Sequence, residues 1–258
     1  MNPALKVAFN TANLVGRVSG YRFKLQEWGK QHALTVEKTD ENAWRDICRQ
    51  IAGAGYAAVE IWKAHADPSV MTAEKARAWL RILSEHHLTP IGYAGDYSAD
   101  AVRVCEWLGI RSINGRLPAG ATIDEFEKLA RKSGVRFNFE NHPEKSVAEI
   151  IQPIHGGSDV IGVAVDTGWL GTQGVDAVQA IDLLGPLLRH VHLKDVRAAG
   201  GHQTCPLNTG VVGISRLITE LKRRGYAGWY SWEDEPEERN PMDIAADARV
   251  WIEKELAR

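Results

Sequence analysis

Four short stretches of the chain end in groups that could do chemistry together: "VRFNFE", "VAVD", "HVHLKD" and "WYSWE". In an extended strand successive side chains point to opposite faces. Phe137 and Phe139 therefore share a face opposite Asn138 and Glu140, and Val163 and Val165 oppose Ala164 and Asp166. Val191 and Leu193 oppose His190, His192 and Lys194, and Tyr230 and Trp232 oppose Ser231 and Glu233. If the apolar faces pack under helices, Glu140, Asp166, His192 and Glu233 all point the other way, near the carboxyl ends of their strands. Three carboxylates gathered in a partly dry site repel one another strongly, and a cation is the usual remedy. Three carboxylates with one neutral imidazole suit manganese, magnesium or cobalt better than a metal that seeks sulfur. A half-wetted antiparallel sheet would show the same alternation, so the architecture has to decide.

The elements around these stretches are strands alternating with helices. Strand-like runs are "LKVAFN", "AAVEIW", "TPIGYA", "RSINGR", "VRFNFE", "IGVAVD", "HVHLKD" and "GWYSWE". Segments with helical spacing lie between them, such as "ENAWRDICRQIAGAGY", "TAEKARAWLRILSEHHL" and "GISRLITELKRRGY". Several end in a glycine just before the next strand, as in "GAGY", "KSGV" and "RRGY", the stop signal of a helix-to-strand loop. Eight such units in 258 residues predict an α/β fold, a closed (β/α)8 TIM barrel forming a single domain over residues 1–258. A doubly wound open sheet usually carries a glycine-rich phosphate turn after its first strand, and "FNTANLVGRVSG" has no such spacing. One connection is long. The stretch at about 11–40, containing "GYRFKLQEWGK", reads either as a lid or partner surface at the barrel mouth or as an inserted helix with no direct role.

Composition excludes some partners. A formal net charge of -2 gives no electrostatic footprint for nucleic acid or an anionic membrane surface. No apolar run is long enough to span a bilayer, and "MNPALKVAFN" lacks the regions of a secretion signal, so a cytoplasmic location is expected. Cys48, Cys105 and Cys205 are widely spaced and odd in number, which fits reduced thiols without a site role. A homo-oligomer or a partner subunit is compatible with the sequence.

With "FNFENHPE", "VAVDTGWLGTQG", "HVHLKD" and "GYAGWYSWE" in this order, the chain resembles the xylose-isomerase-like TIM barrels. This family of sugar phosphate isomerases and epimerases includes D-tagatose 3-epimerase, inosose dehydratases and endonuclease IV. The resemblance implies that Glu140, Asp166, His192 and Glu233 bind one divalent metal, with Mn2+ expected and Mg2+ or Co2+ as alternatives. It also implies acid/base roles for Glu140 and Glu233, acting on opposite faces of a sugar or keto-sugar by proton abstraction next to a carbonyl. The same first step serves a lyase or dehydratase acting on an inosose or 3-keto glycoside. A non-catalytic sugar-binding or scaffold subunit is the reading from another class. Trp169 stands where relatives carry a histidine three residues after the aspartate, which speaks against the multi-metal nuclease branch.

Around this core His142 and Glu144 are candidates for substrate hydroxyls, and Lys194 and Arg197 for a carboxylate, phosphate or oxyanion. Trp169 is a candidate specificity contact. His190 is expected to be a hydrogen-bonded interior residue, Glu60 to orient a neighbour, and Trp229 to stack on a sugar or fill the barrel. His32, His65, His86, His87, His155 and His202 have no constellation around them.

Overall fold

The computed structural model describes residues 5–258. Eight strands close into a barrel: β1 (Val7–Asn10), β2 (Ala58–Trp62), β3 (Thr89–Ala94), β4 (Ser112–Gly115), β5 (Arg136–Glu140), β6 (Ile161–Asp166), β7 (Leu188–Leu193) and β10 (Trp229–Trp232). They are neighbours in that order, β10 pairs back to β1, and every barrel pair is parallel. β8 (Asp195–Val196) and β9 (Thr204–Cys205) form a small antiparallel ribbon after β7.

Each strand alternates because its outer face is covered by helices while its inner face fills the barrel. Phe137, Phe139, Val163, Val165, Val191, Leu193, Tyr230 and Trp232 all lie in one continuous apolar core, as their parity predicted. The covering helices supply the other half. Trp44 of α2 (Glu41–Gly53) stacks on Trp79 of α3 (Ala73–Glu85) with ring centroids 5.7 Å apart. The outer layer continues through α4 (Ala99–Leu108), α5 (Ile123–Ser133), α6 (Val147–Ile151), α8 (Ala177–Leu184), α9 (Ile214–Arg223) and α10 (Met242–Ala257). Helix starts follow the sequence: Asp40, Thr72, Ser98, Ser146 and Asp176 each accept a backbone N–H of the first turn. The predicted stops hold too, since Gly55, Gly134 and Gly225 all take positive φ.

Two helices lie outside the sequence pattern. One is the six-residue α7 (Thr167–Thr172), directly after β6. The other is α1 (Trp28–Lys38), inside the long segment after β1, which also forms turns at Thr11–Leu14, Arg17–Ser19 and Leu25–Glu27. This segment contains the inserted helix that was one of its two readings, and it also packs into the protein. Phe23 is buried with Ala12, Val15, Trp62 and Ala64 in a second apolar cluster, and its N–H donates to the Glu237 carbonyl at 3.2 Å. The aromatic residues of "GYRFKLQEWGK" are therefore partly packing residues, although Leu25 and Trp28 reach the barrel mouth.

Candidate active site

Four strand ends deliver the side chains. Glu140 closes β5, Asp166 closes β6, His192 is the fifth residue of β7, and Glu233 follows β10 with its N–H on the Leu193 carbonyl at 3.0 Å. Asp166 also caps α7 by accepting the Trp169 N–H at 3.0 Å, which fixes one oxygen and leaves Oδ2 for the site. Asn141 clamps the Asp166 backbone from both sides, accepting its N–H at 2.8 Å and donating to its carbonyl at 3.0 Å.

His192 is the hub. Its Nδ1 lies 2.7 Å from Glu140 Oε1 and 2.9 Å from Glu233 Oε2, and its Nε2 lies 3.0 Å from Glu60 Oε2. The same Glu60 oxygen takes His190 Nε2 at 2.9 Å, while Oε1 accepts from Asn114 at 2.6 Å. Glu60 thus orients its neighbours and His190 is an interior hydrogen-bonded residue, as the strand faces indicated. With Nε2–H donated to Glu60, the Nδ1 lone pair points between two carboxylates, the place where a cation belongs. Without one, that nitrogen must hold a proton. Burial opposes the imidazole's charge, but Glu60, Glu233 and Glu140 outweigh it and push the pKa well up.

A second group meets at Lys194. Its ammonium lies 3.3 Å from Asp166 Oδ2, 3.2 Å from Glu233 Oε1 and 2.6 Å from Glu235 Oε2, so three carboxylates occupy its three donors. Burial opposes its charge, but these carboxylates hold it protonated. For Glu233, burial is outweighed by Lys194 and His192, which bring the carboxyl down to about 2. Glu235 goes the other way: burial, countered only in part by Lys194 and reinforced by Glu233, pushes it up to about 8. Of the three carboxyls around the ammonium, Glu235 is the one driven toward its protonated form.

The donors fit a divalent ion. Ligand atoms of Glu140, His192 and Glu233 lie within 4.8 Å of one another, as do those of Glu140, His142 and Asp166. The two sets share Glu140 and together hold three carboxylates and two imidazoles, His192 and His142, while Glu60, His190 and His192 form a third such group deeper in the barrel. The carboxyl groups of Glu60, Glu140, Asp166 and Glu233 outnumber Lys194 and His192 there, and a cation would relieve that excess.

Above these groups opens a cavity of about 630 Å3. Glu140, His142, Trp169, His192, Lys194, Glu233 and Glu235 line it, and Asp166 is buried beneath. His142 Nε2 lies 2.9 Å from Asp166 Oδ2; burial disfavours its charge, but that hydrogen bond raises its pKa overall.

Two expected substrate contacts are not at the cavity. Arg197 is exposed directly after β8, where the chain has left the barrel for the β8–β9 ribbon. Glu144 instead grips the cavity-lining Arg116 at 3.1 and 3.3 Å. His202, expected to be isolated, stacks on Trp169 with centroids 4.9 Å apart. Trp229 stands at the opposite end of β10 and does not line the cavity. Trp28 lines the cavity from the stretch read as a possible lid, whereas Glu235, Arg116 and His202, which also line it, were not singled out from the sequence. Only Glu235 and Arg116 carried a usable signal, each two positions beyond an inward residue.

A family model described as xylose isomerase-like TIM barrel matches residues 48–255. The chain belongs to this family. Among solved structures, the xylose isomerase-like barrel matches D-allulose 3-epimerase from Methylomonas sp. with a TM-score of 0.71 at 16% identity, covering 98% of each chain. It matches 3-keto-D-glucoside 4-epimerase from E. coli with a TM-score of 0.66 at 15% identity, over 97% of this chain and 99% of that one. Both likenesses are of fold. A curated relative, inosose dehydratase 1 of Bacillus cereus, is 27% identical over 150 residues, 49% of this chain and 50% of its own. The chain thus spans about half the length of the curated relatives it matches.

Proposed function

We propose that this xylose isomerase-like barrel is a divalent-metal-dependent isomerase or epimerase that moves a proton at the carbon next to a carbonyl of a sugar or keto-sugar derivative. The observation that carries the reading is the meeting of Glu140 and Glu233 on His192 Nδ1 at the floor of the cavity. Glu140, Asp166, His192 and Glu233 would hold the ion, manganese in the first instance, with magnesium or cobalt also suited to the donor set. When bound, the ion would supply polarisation of the substrate carbonyl, which makes the adjacent carbon acidic.

The chain's own residues do the rest. Glu140 and Glu233 come from strands three steps apart around the barrel, so they approach a substrate from different sides. One takes the proton and the other returns one. Glu233 is tied through Oε1 to Lys194 and held ionised, whereas Glu140 Oε2 has no hydrogen-bond partner in the protein among the described residues. Glu140 is the freer base. Lys194 keeps Asp166, Glu233 and Glu235 together, and His142 and Trp169 face the substrate from the β5–β6 side.

A second reading has its own support: the curated relatives matched over half of the chain are inosose dehydratases. In that reaction the same proton abstraction is followed by loss of a substituent one carbon further on. Ketoses, inososes and 3-keto glycosides incubated with manganese-loaded protein and followed by NMR separate the two. An epimer or isomer supports the main reading, and an eliminated product supports the dehydratase. Tight binding of a sugar with no product from any member of the panel would contradict both and leave a binding subunit.

A further inference from the structure

The cavity is larger than the group of acids at its floor requires. At about 630 Å3 it falls in the range of roughly 300–1,000 Å3 that accommodates drug-sized ligands. The strand order divides it. The candidate metal ligands all come from β5, β6, β7 and β10, and β2 lies diametrically across the barrel from β6. The lobe over β2 and β3 therefore lies across the same cavity from the candidate ligands, although deeper in the barrel Glu60 of β2 reaches His192.

Part of its wall is apolar, and Asn10, Lys63, Asp96 and Arg116 also line this side. Trp62 ends β2, Trp28 opens α1 and meets it edge to face with centroids 5.5 Å apart, and Leu25 lies beside them. Its floor is cut away because Gly95 follows β3 and Gly115 ends β4. A Cβ on Gly115 would stand 1.9 Å from the Gly95 carbonyl oxygen, so no larger side chain fits there. The charged groups on this rim are already paired: Lys63 with Asp96 at 2.6 Å, and Arg116 with Glu144 at 3.1 Å. Among the described residues, Lys63, Arg116 and Lys194 are the lysines and arginines lining the cavity, and each has a carboxylate partner.

From this we infer that this lobe is a binding subsite for a planar, apolar group carried by the substrate, so that the substrate is an uncharged keto-sugar bearing an aromatic substituent. The inference rests on the proposed reaction at the opposite lobe. A phosphate or carboxylate would have to break an existing ion pair to gain a cation here. A second sugar ring would bring hydroxyls to a wall whose polar groups are already paired, whereas an aromatic ring buries its face on Trp28 and Leu25 with nothing left unsatisfied.

The test uses metal-loaded wild-type protein with phenyl 3-keto-β-glucoside, methyl 3-keto-β-glucoside and a 3-keto disaccharide. Affinity is measured by calorimetry and, separately, deuterium exchange from heavy water by NMR. The phenyl compound is expected to bind about tenfold more tightly than the methyl compound and more tightly than the disaccharide. Trp28→Ala and Leu25→Ser should each bring the phenyl-to-methyl affinity ratio toward one, with melting curves confirming that both variants are folded. Equal affinity of wild-type protein for phenyl and methyl compounds, or a preference for the disaccharide, would overturn the subsite. Absence of exchange from every compound would instead contradict the proposed reaction, and the affinity ratio would still decide the subsite.

Discussion

Dialysis of the purified protein against a chelator is expected to remove about one divalent ion per chain and abolish turnover, with manganese restoring it. The ion's charge would offset carboxylates that Lys194 and His192 neutralise only in part. Lys194 is fully engaged by Asp166, Glu233 and Glu235, and His192 has carboxylates at both ring nitrogens. Because the ion binds the folded chain, its removal should also lower the melting temperature. An ion present at a hundred times its dissociation constant contributes about 2.7 kcal/mol, which corresponds to several degrees for a chain of this size. Metal analysis, activity and calorimetry on the same samples check all three effects. Full activity in protein shown to be metal-free would overturn the assignment.

Replacing Glu140 with glutamine is expected to lower turnover per bound metal by about 10²–10⁴-fold, the usual contribution of a positioned base. Glutamine keeps the length and an oxygen that can ligate, but it cannot accept the proton. Glu233→Gln should act differently, since it also removes a charge that Lys194 and His192 share. Its loss should appear in metal affinity as well as in turnover. Metal occupancy measured beside the rate separates the two effects. A Glu140→Gln protein with occupancy and turnover both near wild type would remove Glu140 from the proton-transfer role.

The barrel and its strand-end ligands were legible because both rest on local periodicity. A strand buried under helices must alternate, so Phe137–Phe139 and Val163–Val165 marked the outer face and left Glu140 and Asp166 inward. What stayed hidden depends on contacts between distant segments. No local pattern tells that Glu144 turns away to hold Arg116, or that His202 crosses from the β8–β9 ribbon onto Trp169. Arg197 was a candidate only by its nearness in sequence to His192 and Lys194, and the chain bends out into that ribbon after β7. The role of the segment after β1 was left between a lid and an inserted helix because its apolar residues divide between the main core, through Leu14 and Tyr21, and a separate small cluster, through Val15 and Phe23.

The account depends most on one ion at the meeting point of Glu140, Asp166, His192 and Glu233. Crystals grown with manganese and measured near its absorption edge give the ion's position directly. The expected result is one strong anomalous peak roughly 2.0–2.3 Å from His192 Nδ1 and from an oxygen of each of the three carboxylates. A peak on the other side of the imidazole, among Glu60, His190 and His192 Nε2, or no peak at the floor of the cavity, would contradict it.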